Sequence, residues 1–334
     1  MYDHYIGIDW AQQNMAIARM TKHSQRITSV DVKSDIRDLQ VYLNNLKGKK
    51  IITFEESSPA QWLYTELKNY ADEIVVCDPY RNKLLKEGAK NDIADAEKLV
   101  TLLKNNLLKP VYHCCDDFIH MRKLVSGYGD LIQAGVRIKN QRSAMFRSQG
   151  KIVDEEISGS YEQFVLTGLD ARLASYEKEK SNYQKIFTKI VKSNSLVKNL
   201  SSIPGIGLVG SVSLASVVVD PTRFSKKSQF LVYSGLMKLD RISGGKVYGK
   251  TTPRYNRTVK KVFKTAAIVI IGTAKDDNLL KQYYDHLIGV KNYPVYQARH
   301  ALAQRLAVLA LGVMKSGKKY NEKIIQKKFN ELTV

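Results

Sequence analysis

Acidic residues are in short supply in this chain of 334 residues: 32 Asp and Glu stand against 53 Lys and Arg, a formal net charge of +21. Cysteine is rarer still. Cys77 and the adjacent Cys114 and Cys115 offer neither a disulfide framework nor zinc-ligand spacing, which suits a reducing cytoplasm. No run of about 18 apolar residues occurs, and the N-terminus has the pattern of a strand rather than a signal peptide. Membrane and secreted classes therefore find no support. Internal repeats and low-complexity segments are absent as well.

What is present is ordinary for a folded protein, with 44% hydrophobic and 25% charged residues. The length suggests two or three domains with enough chain for a real core. The basic surplus is the most informative bulk property. It implies a polyanionic partner, nucleic acid first, because neutralising phosphates releases counterions. A lysine-rich proteome would produce the same surplus without such a partner.

Along the chain, Tyr5–Asp9, Met15–Met20 and Arg26–Val32 read as three short strands separated by polar turns, an antiparallel meander. A helix over Ile36–Leu46 follows, then a strand Lys50–Phe54, a helix over about Pro59–Tyr70, and a buried run Ile74–Cys77 stopped by Asp78-Pro79. Strands joined by helices need crossovers and a mixed, largely buried sheet. The order β-β-β-α-β-α-β-α is that of the RNase H-like fold. From about residue 116 the pattern turns helical. Met121, Leu124, Tyr128, Leu131, Gly135, Ile138, Arg142 and Met145 recur at spacings of three and four, as do Leu169, Leu173, Tyr176, Lys180, Tyr183, Phe187 and Ile190. Such stripes predict a coiled-coil seam or a packed helical hairpin, turned over Asp154–Gly168. A last region opens with Ser202-Ile203-Pro204-Gly205-Ile206-Gly207 before an apolar helix, either a phosphate-holding turn or a tight connection. The expected architecture is thus an α/β RNase H-like domain over 1–112, a helical hairpin over 113–198 and a mostly helical domain over 199–334.

Five acids stand out. Asp9 ends an apolar strand in Gly7-Ile8-Asp9-Trp10, Glu55 and Glu56 end another, and Asp92 and Asp95 open a predicted helix. Their spacing puts Asp92 and Asp95 on one helical face. Each alone has a bland explanation, since acids suit strand-end turns and first helical turns. Together they form an oxygen-ligand set for two Mg²⁺ or Mn²⁺ ions, which can activate a nucleophile and stabilise a leaving oxygen at a phosphodiester.

These residues resemble the DEDD-type transposases, insertion-sequence recombinases with a RuvC-like N-terminal domain, and their DNA invertase relatives. The matching pieces are Gly7-Ile8-Asp9-Trp10, Phe54-Glu55-Glu56-Ser57, Asp78-Pro79 and Lys90-Asn91-Asp92-Ile93-Ala94-Asp95-Ala96. The resemblance implies that Asp9, Glu55, Asp92 and Asp95 are the catalytic, metal-holding tetrad. Ser58 stands where the family has glycine, which leaves Glu56 as an alternative to Glu55; Asn91 stands where threonine is common. Further on, Asp220 to Phe224, Tyr233-Ser234-Gly235-Leu236 and Ser243-Gly244-Gly245-Lys246 resemble successive blocks of the family's second domain, and the last implies Ser243 as nucleophile. Without the resemblance, Ser-Gly-Gly reads as a surface turn.

After Ser243 the chain carries Lys246, Lys250, Arg254, Arg257, Lys260, Lys261 and Lys264 with no acid between them and with Tyr248 and Tyr255 interleaved. This is a surface for gripping phosphates and stacking bases; the alternative is a merely solvated basic face. The family's Lys-x-Gly-Asn motif is reduced to Pro253-Arg254-Tyr255-Asn256. His300, in an apolar helix, reads as structural.

The resemblance implies a Mg²⁺- or Mn²⁺-dependent DNA transposase that acts on double-stranded donor and target DNA through a phosphoserine link. It also implies a structured bridge RNA as guide, a composite site formed between protomers of a homodimer or homotetramer, and a place at the nucleoid in the cytoplasm. Two other functions compete: a RuvC-like nuclease or junction resolvase that uses water, and a nucleic-acid-binding protein without chemistry.

Overall fold

A computed structural model describes residues 1–80, 91–113 and 117–323 of the protein. Lys90 of the acidic motif, Cys114 and Cys115, and Lys327, Lys328 and Glu331 lie outside the described residues. The chain divides into two compact units, Met1–Asp116 and Asp117–Val334.

The first unit is built on five strands: β1 (His4–Trp10), β2 (Asn14–Thr21), β3 (Thr28–Lys33), β4 (Lys50–Glu55) and β5 (Glu73–Cys77). They lie in the order β3-β2-β1-β4-β5. The two short turns make β1, β2 and β3 antiparallel neighbours. The crossover helices make β1, β4 and β5 parallel. Those helices are α1 (Ile36–Asn45) and α2 (Ala60–Leu67), with α3 (Asp92–Lys104) following β5.

Period-two alternation sends successive side chains to opposite faces. Ile6, Ile8, Met15, Ile17, Ile52 and Phe54 meet Leu39 and Leu43 of α1 and Leu63 and Leu67 of α2 on one face. Ala16, Ala18, Met20 and Ile51 meet Ala96, Leu99, Val100 and Leu103 of α3 on the other. Each buried Leu, Ile, Val, Met or Phe side chain among them contributes about 1.5–3 kcal/mol, so these two layers hold the sheet. This is a mixed α/β architecture compatible with the expected RNase H-like domain.

Gly7 sets how closely α3 can approach. A Cβ there would stand 2.5 Å from the Ala96 carbonyl oxygen and 2.7 Å from the Val100 nitrogen. Only a residue without a side chain lets the α3 backbone lie directly on β1.

The second unit comprises α4 (Asp117–Ser148), α5 (Ser160–Ser193), α6 (Ser195–Leu200), α7 (Leu208–Val218), α8 (Lys227–Tyr233), a hairpin of β6 (Leu239–Ser243) and β7 (Lys246–Thr251), then α9 (Arg257–Thr273), α10 (Leu279–Gly289) and α11 (Val295–Ser316). The long helices α4 and α5 pack antiparallel. Tyr128 meets Phe187 edge-on, and the Tyr176 ring lies against Gly135. Lys139 reaches Glu177 at 2.9 Å, and Arg142 reaches Asp170 at 2.6 Å. The connection between them is shorter than the predicted Asp154–Gly168 turn, because helix resumes at Ser160.

The core of this unit gathers on α7, against which α4, α5, α6 and α9 pack. Seven residues of α7 are buried, and its apolar positions follow no single face. Three serines nonetheless fall inside it. Ser211 donates to the Leu208 carbonyl, Ser213 to Val209 and Ser216 to Ser213, so no hydroxyl is buried without a partner. The β6–β7 hairpin stands apart from this core, with every residue of β6 exposed. Beyond α11, Lys318 and Lys319 lie past the helix end at Ser316. Among the described residues, no helix is long and apolar enough to cross a membrane.

Candidate active site

The strand register brings the first two acids to one level. β1 and β4 pair in parallel through Gly7 and Thr53, and two residues further along stand Asp9 and Glu55. Both occupy the alternate positions that face α3, the side on which Ile51 packs against Leu99 and Leu103. Both are half-buried.

α3 runs antiparallel to β1. At its C-terminal end Lys104 donates to the carbonyls of Thr21 and Ser24, and Thr21 pairs with His4 at the start of β1. In the middle, Ala96 and Val100 cover Gly7. Its first turn, with Asp92 and Asp95, therefore lies at the sheet edge where β1 and β4 finish.

That turn is held by Asn91, whose side-chain oxygen accepts the Ala94 N–H at 2.6 Å. Asn and Thr both perform this capping role, which gives the Thr-to-Asn departure a neutral explanation. Asp95 lies 3.5 Å from Lys98, and Asp92 is exposed. The four carboxylates thus share an edge. Their type, hard anionic oxygen, is the one Mg²⁺ and Mn²⁺ select. The side chains do not converge, however: among the described residues, no group of three His, Cys, Asp or Glu stands close enough to hold an ion.

Glu56 has a different setting. It lies just past the end of β4, and its carboxylate meets His113 Nε2 at 2.5 Å. His113 Nδ1 stands 3.0 Å from Gln61, and Tyr64 packs against the imidazole ring. His113, whose side chain is only 5% exposed, was not among the residues expected at this edge. A separation of 57 positions from Glu56 leaves no local pattern to reveal it.

In the second unit, Ser243 is the last residue of β6 and pairs with Lys246, the first of β7. Gly244 and Gly245 form the two-residue turn, with φ of 54° and 77°. Positive φ at both central positions is the I′ geometry that matches strand twist, and glycine adopts it without strain. Ser243 therefore sits at the tip of an exposed hairpin, flanked on one side by backbone alone.

The basic residues that follow distribute over two elements. Lys246 and Lys250 are exposed on β7, while Arg257, Lys260, Lys261 and Lys264 lie on the first two turns of α9. Asn256 caps α9 by accepting the Val259 N–H, so the asparagine of the reduced motif keeps a defined structural task. Tyr255 carries Lys260 over its ring at 4.1 Å, and Arg254 lies in the connection before the cap. His300 and Gln304, one turn apart on α11, both donate to the Leu236 carbonyl and so tie the base of the hairpin to the helical core. Burial first, and then Lys264, Lys260 and Lys238, hold the His300 pKa below its ordinary value.

Residues 6–148 match the DEDD-type transposase domain of the IS110 kind, and residues 197–285 match the Transposase IS116/IS110/IS902 family. No curated protein gives a significant match. The first match contains all four acids and the second contains Ser243 and the basic segment. The chain belongs to the DEDD-type insertion-sequence transposases, proteins that act on DNA and whose DEDD domain typically uses divalent metal ions.

Proposed function

We propose that the protein cleaves and rejoins DNA through a covalent phosphoserine intermediate formed by Ser243, with Asp9, Glu55, Asp92 and Asp95 holding Mg²⁺ or Mn²⁺. The observation that carries this reading is the common sheet edge. Asp9 and Glu55 face α3 at the end where α3 begins with Asp92 and Asp95, and Glu56 is instead engaged by His113. That difference favours Glu55 over Glu56 as the tetrad member.

When bound, divalent ions would supply Lewis-acid stabilisation of charge on the oxygens around phosphorus. The protein supplies the rest. The Ser243 hydroxyl gives up its proton, its oxygen bonds to phosphorus, and the bond from phosphorus to a deoxyribose oxygen breaks. The leaving oxygen takes up a proton and can later reverse the step, so the energy of the phosphodiester is retained for rejoining. Gly244 and Gly245 leave room for a DNA backbone beside the hydroxyl. Lys246, Lys250, Arg254, Arg257, Lys260, Lys261 and Lys264 offer the charge that positions the phosphates.

The functional segments on this reading are 1–112, 113–198 and 199–334. Partners are double-stranded donor and target DNA and, by the family resemblance and the +21 net charge, a structured bridge RNA. The pairing that the resemblance implies, acids of one protomer with the serine of another, makes the active species a homodimer or homotetramer.

The test is a Mg²⁺-dependent protein–DNA adduct that survives denaturation. Wild type forms it, whereas Ser243→Ala and Asp9→Asn do not. Cleavage by Ser243→Ala at the wild-type rate would instead identify a nuclease that uses water.

A further inference from the structure

We infer that the concave pocket beneath the β6–β7 hairpin seats a backbone phosphate of a bound DNA strand, gripped by Lys238, Lys250, Lys260 and Lys264. The pocket has a volume of about 440 Å³. This inference rests on the reading of the protein as one that acts on DNA, and adds a defined subsite to it.

Three separate stretches of chain deliver the cations. Lys238 precedes β6, Lys250 lies on β7, and Lys260 and Lys264 stand one turn apart on α9. Asp240 is the one acid of the lining, and it is already engaged by Lys250 at 4.0 Å. Among the described residues, Lys238, Lys260 and Lys264 form no ion pair. Lys260 is instead steadied over the Tyr255 ring.

Like charges gathered around a recess repel one another, and an anion placed among them relieves that repulsion. One acceptor of the recess is already satisfied. The Leu236 carbonyl, which would otherwise disfavour an anion, is covered by the two donors His300 and Gln304. Burial is the main reason the His300 pKa lies below its ordinary value, and Lys264, Lys260 and Lys238 lower it further, in keeping with that positive potential.

Position along the hairpin argues for a DNA phosphate rather than a free anion. Asp240 and Lys250 line the pocket from paired positions on β6 and β7, three residues from Ser243 along β6. At about 3.3 Å per residue that is roughly 10 Å, or about three nucleotides of a strand with one charge per 3.4 Å. A strand presented to Ser243 and running along the hairpin would pass the pocket mouth.

The experiment measures binding of the full chain to a duplex of arbitrary sequence as salt is varied. Replacing Lys238 and Lys264 together by Gln is expected to lower affinity about tenfold and to reduce the slope of log affinity against log salt by about 0.9, one phosphate contact. A Lys185→Gln/Lys189→Gln pair on the exposed face of α5 serves as the control for charge alone. A pocket variant indistinguishable from that control, with wild type still binding, overturns the pocket and leaves the DNA reading intact. No binding by wild type overturns both. If the pocket variant fails to fold, the His300 ring proton signal in wild type decides: a shift on adding duplex is expected, and an unmoved signal at saturation refutes the subsite.

Discussion

Replacing Gly7 by Ala offers a sharp test of how the acidic edge is built. The new methyl group would meet the Ala96 oxygen at 2.5 Å and the Val100 nitrogen at 2.7 Å, where ordinary contact begins near 3.4 Å. Both neighbours are backbone atoms of α3, so no side chain can rotate away. The helix must retreat by up to about 1 Å, and overpacking of this kind costs about 1–3 kcal/mol. The same retreat carries Asp92 and Asp95 away from Asp9 and Glu55. A misplacement of about 1 Å at a reacting centre costs on the order of 100-fold in rate. The expected outcome is thus a modest fall in thermal stability with a disproportionate loss of Mg²⁺-dependent DNA adduct, read at a temperature where the variant remains folded. Wild-type melting together with wild-type adduct formation would refute the claim that α3 lies directly on β1 at Gly7.

Two further outcomes follow from local contacts. Asn91→Ala removes the cap of α3 and is expected to cost about 1 kcal/mol, whereas Asn91→Thr keeps most of it; denaturant midpoints with unchanged slope distinguish the two. His300 takes up a proton less readily in the folded chain than in the unfolded one. Stability is therefore present above its ordinary pKa near 6.5 and is lost as pH falls from there toward the depressed folded value. His300→Gln, which keeps a donor for the Leu236 carbonyl, is expected to flatten that decline. Melting curves between about pH 7.5 and 5.5 that fall equally for both proteins would exclude His300 as its source.

Most of the first unit was legible because its strands alternate and its turns are short. Met15 to Met20 divides cleanly between two faces, and each predicted element there lies within a few residues of the observed one. The common edge of Asp9, Glu55, Asp92 and Asp95 follows from that same alternation together with the antiparallel run of α3. The second unit was legible as helices, since stripes such as Tyr176, Tyr183 and Phe187 carry the helical period. The hairpin was not. Leu239–Ser243 is exposed along its whole length, so no buried face imposes a pattern, and only the Ser-Gly-Gly turn announced itself. Contacts across long separations were equally silent: His113 with Glu56, and His300 with Leu236, join residues whose neighbours in sequence say nothing of one another.

The burial of α7 on every side bears on how the chain is made. Its segment Leu208–Val218 carries no charge and is mostly apolar, and one of the helices that cover it, α9, is complete only at Thr273. At about 5–20 residues per second of synthesis, α7 leaves the ribosome several seconds before that cover exists. During that interval the earlier helices α4, α5 and α6 are its sole native shelter. A newborn chain whose α4–α5 pair is weakened would then expose a sticky, uncharged stretch, and the penalty would appear as yield lost to aggregation rather than as a lower melting temperature of the finished protein.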